Sequence, residues 1–450
     1  MLFAVGRPAY TAALTLPWAK SPGQGSFLMM SDIHFNPFAD SSLPKKLAEA
    51  PPEEWEAILS TSKGETLCGY GEDTNHALFR STLQAAASAG TYDYVLVGGD
   101  YLSHEFKSDF EKTVEPIRDG MDSKYQSFIV KTVQYVTGEI QKNFPGVPVV
   151  FALGNNDSAH GANNAVRPYD SLLTALAGSW NVVSGDAAAE KSFSENGWYV
   201  APHPTLKDHE IAVLDDIYWY YKYTGYGDLD GADRGSWELK WLQGVLQDAR
   251  VRGKKVTLLS HMPPGIHSRN ASMHPDRDKL QKTFYIREYL WPYLNILAAY
   301  RDVLDGEFCG HTHLDDFRVP VDREGKPVFF AHVIPSVSPV DNSNPAFQVA
   351  LYEKNGGAIR DMATFTVSDL KNPVWGLEYD FREAYGYDTY NKESLMALAE
   401  DIQTKSDVRA KFVSYCVGGY GNGPCRMGNW RYYACAHTLL DPADYRKCYP

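Results

Sequence analysis

The chain has 450 residues, 44% of them hydrophobic, and a formal net charge of −13 at pH 7. That length sustains one large core, or a large domain with a smaller companion. The acidic balance argues against a nucleic-acid polymer as partner, and no apolar run is long enough to span a bilayer, which leaves at most transient lipid contact.

The opening "MLFAVGRPAYTAALTLPWAK" is too short and broken in its apolar stretch for a signal-peptide core, so either the protein stays inside or a leader has been removed. From Ser26 onward, strands and helices alternate. "SFLMMSDIHF" reads as a strand, "TNHALFRSTLQAAASAG" as a helix, "YDYVLVGGD" as a strand and "YQSFIVKTVQYVTGEIQKNF" as a helix. Next come the strands "VPVVFALGNND" and "EIAVLDD", then the tyrosine-rich "DDIYWYYKYTGYGD", whose rings would stack a base, hold a cation or simply cover a sheet. In the helix "SWELKWLQGVLQDARVRG", the stripe Trp237, Trp241, Leu242, Val245 and Leu246 is expected to face the core. The strand "KKVTLLSHMPPG", the helix "TFYIREYLWPYLNILAAYRDVL" and the strands "GEFCGHTH" and "PVFFAHVIPSV" complete the alternation, which predicts an α/β layered domain. After residue 375 the strand signals stop, so residues 376–450 are expected to form a small helical subdomain behind a domain over 1–375. Cys416, Cys425, Cys435 and Cys448 crowd its end without the paired knuckles of a zinc site, which favours two disulfides and an oxidising compartment, secreted or periplasmic. Cys68 and Cys309 are far apart, and their pairing stays open.

Nearly every strand ends in metal-binding side chains. The first gives Asp32 and His34, the second Asp100 and His104, and "GNND" gives Asn155; His261, His311 and His313 follow. Carboxyl ends of successive strands share one rim of a sheet, where open α/β folds bind ligands. An i, i+2 pair points both groups the same way while the strand stays extended. A lone D-x-H or G-N at a strand end is usually turn chemistry. Five such fragments in order are not, and imidazoles mixed with carboxylates and an amide suit zinc, manganese or iron.

The ordered set D-x-H, G-D, G-N, H and G-H-x-H resembles the calcineurin-like metallophosphoesterases. "GDYLSH", "GHTHLDDF", "IPSVSPVDNSNPAFQVALYE" and "WGLEYDFREAYGYDTYNKESLMALAE" resemble the acid sphingomyelinase-like phosphodiesterases within them. The resemblance implies a layered β-sandwich flanked by helices and a site holding two zinc ions, or other divalent transition metals. Asp32, His34 and His313 would hold one ion; Asn155, His261 and His311 would hold the other, with Asp100 shared. It also implies the pairings Cys416–Cys425 and Cys435–Cys448. Asn156 stands where the family usually has a His near the leaving group; an amide donates a hydrogen bond but delivers no proton. His104 is then the first candidate for binding a phosphate oxygen or protonating the departing group, with His160 behind it as a solvated loop residue. Gly154 would permit a sharp exit from the strand, and Asp315 and Asp316 would be structural, orienting a ligand imidazole.

The expected activity is hydrolysis of phosphodiesters in small soluble substrates, of nucleotide or phosphocholine type, by a monomeric enzyme. Only about thirty residues precede Asp32, which leaves no room there for the lipid-presenting module of sphingomyelinase. The alternatives are a sphingomyelin-type lipid phosphodiesterase, a phosphomonoesterase or pyrophosphatase using the same site, and a non-catalytic binder.

Overall fold

Short runs rich in Val, Leu and Phe, too brief for a stable helix, become the central strands. A computed structural model describes residues 14–62, 66–117, 123–158, 160–164, 169–224, 233–274 and 282–448. In chain order its strands are β1 (Gln24–Met30), β2 (Tyr94–Val97), β3 (Val149–Phe151), β4 (Tyr199–Pro202), β5 (His209–Val213) and β6 (Lys255–Leu259). They continue with β7 (Leu304–Cys309), β8 (Asp316–Arg318), β9 (Ala331–Val333), β10 (Ala346–Glu353), β11 (Ile359–Val367) and β12 (Trp375–Asp380).

Two six-stranded mixed sheets result, ordered β12-β11-β10-β1-β2-β3 and β4-β5-β6-β7-β9-β8. In the first, β1, β2 and β3 run parallel and β10, β11 and β12 antiparallel; in the second, β5, β6, β7 and β9 run parallel between antiparallel edges. Helices His76–Ala89 and Ser123–Asn143 make the crossovers of one parallel set, and Arg234–Arg252 and Arg287–Ala299 those of the other. The sheets meet face to face, with Phe27 of β1 edge-on to Phe308 of β7 at 5.6 Å. Both rings are buried, and burial of each is worth about 1.5–3 kcal/mol.

Every strand expected from the sequence is present, but three expectations need correction. First, the sheet continues past residue 375: β12 pairs with β11, and the Trp375 indole donates to Ser81 Oγ at 2.9 Å on helix His76–Ala89. β12 is a six-residue edge strand in which Trp375, Leu377 and Tyr379 alternate with Gly376, Glu378 and Asp380 before helix Phe381–Tyr385 follows directly. Second, of the stripe expected on Arg234–Arg252, Leu242 and Leu246 are buried beside Leu239, Ala249 and Glu238, and Trp241 and Val245 pack half-buried against the core, whereas Trp237 is 46% exposed. Trp237 lies about 140° around the helix from Leu242. Third, Cys435 and Cys448 are bonded, with Cα atoms 5.9 Å apart, but Cys416 and Cys425 are buried free thiols and not the second disulfide expected. Cys68 and Cys309 are buried thiols too.

The C-terminal helices Lys392–Thr404, Ser406–Tyr415, Trp430–Ala436 and Pro442–Cys448 share a core with the first sheet. They also pin the loops beyond β7: Asp315 N donates to Cys416 O at 3.1 Å, Val319 N to His437 O at 2.6 Å and Asn344 N to Val417 O at 3.1 Å. Among the described residues no helix is long and apolar enough to cross a membrane.

Candidate metal centre

The strands stop before the site begins. β1 ends at Met30, and Asp32 and His34 follow with φ of 51° and 43°; Asp100, His311 and His313 have φ of 58°, 68° and 62°. Five of the eight non-glycine residues with positive φ among the described residues are therefore candidate ligands. A side chain in that region costs of order 1 kcal/mol, and such strain persists where the surroundings fix it. The extended i, i+2 geometry expected for both pairs is thus corrected: left-handed turns throw the side chains toward one centre. Backbone bonds hold the turns, from Asp32 N to Gly99 O at 3.0 Å and from His34 N to Asp100 O at 2.9 Å. The His311 amide donates to the Asp32 carboxylate, 2.9 Å from Oδ2.

Gly154 serves a different purpose from the one expected. Its φ is not in the left-handed region, but a Cβ there would press on Asp100, 2.7 Å from Cγ and closer still to Oδ1 and the backbone nitrogen. Asp157, the last residue of "GNND", ties the two loops together by accepting the amides of Asp100, Tyr101 and Gly154 at 2.8, 2.7 and 2.8 Å. Burial, then the charge of Asp100, push its carboxyl up to about 7.

All seven predicted ligand side chains converge. His34 Nε2 lies 3.1 Å from His313 Nε2, and Asp32 Oδ1 lies 3.3 Å from His313 Nε2. In the other group, His261 Nε2 lies 3.2 Å from both Asn155 Oδ1 and His311 Nδ1. Asp100 Oδ2 stands between the groups, 3.5 Å from His34 Nε2 and 3.3 Å from His261 Nε2. Donors about 2.0–2.1 Å from a tetrahedral ion lie roughly 3.3 Å from one another, so the spacing fits. Protonation fits as well. Nδ1 of His34 donates to Leu102 O at 2.9 Å and Nδ1 of His261 to Gly98 O at 2.7 Å, which aims the Nε2 lone pairs inward. The field calls for positive charge: burial opposes ionisation of His261, yet Asp100 lifts its imidazole to about 10.

His104 stacks on His34 with ring centroids 4.1 Å apart. Asp73 clamps it, accepting from His104 Nδ1 and from its backbone N, both at 2.9 Å. Burial works against its charge, but that carboxylate outweighs it and raises the imidazole to about 8. Asn156 turns toward the carboxylate between the two groups, donating Nδ2 to Asp100 Oδ2 at 2.7 Å, and Asn155 Nδ2 donates to Asn163 at 3.3 Å. His160 is no solvated loop residue: its side chain is 3% exposed and Nε2 sits 3.1 Å from Asp170. Asp315 and Asp316 are structural, but they do not orient a ligand imidazole. Asp315 accepts from Gln348, Thr364 and Tyr379, and Asp316 meets Arg318 and His437. Sequence reasoning missed Asp73, Asp157 and Asp341. The last pairs with Arg269 and lies 3.8 Å from His313 Nδ1. Only Asp157 carried a signal, as the carboxylate closing "GNND".

The two donor groups open on a cavity of about 370 Å³ lined by His104, Asn156, Tyr220, Lys222, His267 and Arg269 among others. A second cavity of about 380 Å³ adjoins it through His104, Glu105 and Asn156. Tyr218 and Tyr220 of the aromatic loop are buried cover, Tyr220 edge-on to His311 at 5.2 Å. Gly225 to Asp228 of that loop lie outside the described residues.

Two packed mixed sheets with imidazole, carboxylate and amide donors at the rim of their parallel strands define a dinuclear metallohydrolase architecture. Residues 25–315 match the calcineurin-like phosphoesterase family, and the chain belongs to that family; it is a metal-dependent phosphoester hydrolase. It is 25% identical over 445 residues to human acid sphingomyelinase-like phosphodiesterase 3b, covering 94% of this chain and 90% of that one. It is also 25% identical over 455 residues to the cyclic GMP-AMP phosphodiesterase of Rattus norvegicus, covering 96% and 93%. With human sphingomyelin phosphodiesterase the identity is 26% over 329 residues, 68% of this chain and 45% of the relative.

Proposed function

We propose that the protein hydrolyses phosphodiesters of small soluble compounds at a pair of divalent transition ions, zinc foremost. The observation that carries this reading is the place of Asp100 Oδ2, 3.5 and 3.3 Å from one imidazole of each donor group. Asp32, His34 and His313 would hold one ion, Asn155, His261 and His311 the other, and Asp100 would touch both. Such a pair, when bound, brings the pKa of water toward neutrality and offsets charge on a phosphoryl group.

The chain's own side chains do the rest. The amide oxygen of Asn155 ligates without adding negative charge. His104, raised to about 8, carries a proton at neutral pH, and Asp73 holds its Nδ1, leaving Nε2 to bind a phosphate oxygen or protonate the departing alkoxide. Asn156 delivers no proton; it orients Asp100. The names of the relatives, phosphodiesterases aligned over nearly their whole length in two cases, support a diester substrate. The Cys435–Cys448 bond supports an oxidising compartment, and we read the enzyme as a secreted or periplasmic monomer.

The test is elemental analysis of the purified protein followed by rates on bis(4-nitrophenyl) phosphate and 4-nitrophenyl phosphate. Two equivalents of metal and a diester preference of at least roughly tenfold are expected. A preference for the monoester overturns the reading.

A further inference from the structure

The chain is strongly acidic, with a net charge of −13, yet Lys222 lines the cavity on which the candidate ligands open, and Lys282 shares the Tyr221 ring with it. Lys222 Nζ stands 5.9 and 5.7 Å from the ring centroids of Tyr220 and Tyr221, and Lys282 Nζ stands 5.2 Å from the Tyr221 ring. Among the described residues neither ammonium forms an ion pair. Arg269 beside them is already neutralised by Asp341. The ledge sits one ring away from the candidate ligands, since Tyr220 packs on His311 at 5.2 Å and His267 stacks at 4.6 Å on Phe284, which itself packs on His311 at 5.1 Å.

Resting on the phosphodiesterase reading above, we propose that Lys222 and Lys282 form a second anion-binding position beside the metal centre, which selects substrates bearing a further negative group, such as a second phosphoryl. Two like charges on one aromatic ledge repel. Loss of hydration and then the charge of Lys282 lower the Lys222 ammonium, and burial, followed by Lys222 and Arg269, drives His267 down to about 3. Asp341 offsets part of this charge, but neither ammonium is directly paired, and positive potential in a cleft serves an anionic ligand that supplies the missing partner. The scissile diester brings one negative charge, which the bound metal ions offset; the two ammoniums are surplus to it. A phosphocholine head would carry its own cation to this wall. The tyrosine rings alone would suit that cation, but the lysines oppose it.

The test uses full-length enzyme and three esters releasing the same nitrophenolate: thymidine 5′-(4-nitrophenyl phosphate) with and without a 3′-phosphate, and 4-nitrophenyl phosphorylcholine. The expected wild-type preference in kcat/KM for the 3′-phosphorylated ester is roughly ten- to a hundredfold, falling to within about threefold in the Lys222→Met/Lys282→Met double variant. The choline ester should be the poorest substrate and gain in that variant. Equal kcat/KM for the two thymidine esters, or a preference the double variant keeps, overturns the proposal. Calorimetric binding of thymidine 3′,5′-bisphosphate against thymidine 5′-monophosphate gives the same comparison without turnover. A protein that cleaves none of the esters but binds the bisphosphate through these lysines sinks the phosphodiesterase reading and keeps the subsite. One that cleaves all three without discrimination keeps the reading and sinks the subsite.

Discussion

A single methyl group at Gly154 should dismantle the site. The added Cβ would stand 2.7 Å from Asp100 Cγ and closer still to Oδ1 and the backbone nitrogen. Ordinary contact begins near 3.4 Å, so the carboxylate oxygen, the closest of these atoms, must retreat by more than about 1 Å. It has little room to do so, being held by the Asn156 amide at 2.8 Å and by the Asp157 clamp on its own backbone N at 2.8 Å. Overpacking of this kind costs about 1–3 kcal/mol of stability. The functional loss should be larger, because metal–ligand distances tolerate only about 0.2 Å and a misplacement near 1 Å costs on the order of a hundredfold in rate. The Gly154→Ala protein is therefore expected to stay folded by circular dichroism, to retain at most one metal per chain after dialysis, and to lose about two orders of magnitude in kcat/KM. Gly138 and Gly244 supply the contrast. They lie inside helices Ser123–Asn143 and Arg234–Arg252, where a Cβ meets nothing within 4 Å. Alanine there should stabilise by about 0.5–1 kcal/mol without touching activity. Wild-type turnover with two metals bound in Gly154→Ala would refute the reasoning.

Two further outcomes follow from the same structure. Burial holds the Glu307 carboxyl at about 8, against an ordinary value of 4.5, with Ser260 Oγ donating to it at 2.6 Å. The folded chain thus keeps a proton that the unfolded chain releases, and stability present below pH 4.5 is lost as pH rises to about 8. The slope is about 1.4 kcal/mol per pH unit; urea titrations of Glu307→Gln should lack that component, and parallel profiles would exclude it. His104→Ala should lower kcat on a diester by about 10²–10⁴-fold, with less effect when the leaving group is nitrophenolate, which needs no proton. Equal losses on good and poor leaving groups would assign His104 to phosphate binding alone.

The strands and the order of the ligands were readable because both are written locally: an apolar run, then a donor. The ligand geometry was not. Positive φ at Asp32, His34, Asp100, His311 and His313 is imposed by hydrogen bonds from other strands, to partners such as Gly99 O and Asp100 O, that adjoin only in the fold. The same holds for Asp73 and Asp341, which reach His104 and His313 from loops with no motif of their own. Gly154 looked like a turn residue because turns are its commonest use; the close approach of Asp100 is invisible along the chain. β12 is short and runs straight into helix Phe381–Tyr385, so its alternation of Trp375, Leu377 and Tyr379 is submerged in a helical stretch, and Trp237 lies at the margin of a helix face whose centre is Leu239, Leu242 and Leu246.

The most direct measurement is anomalous X-ray diffraction at the zinc edge from crystals grown with zinc. Two peaks about 3.5–4 Å apart are predicted, one against Asp32, His34 and His313, the other against Asn155, His261 and His311, with Asp100 touching both. A single peak, or peaks elsewhere on the chain with these seven side chains left unligated, would contradict the account.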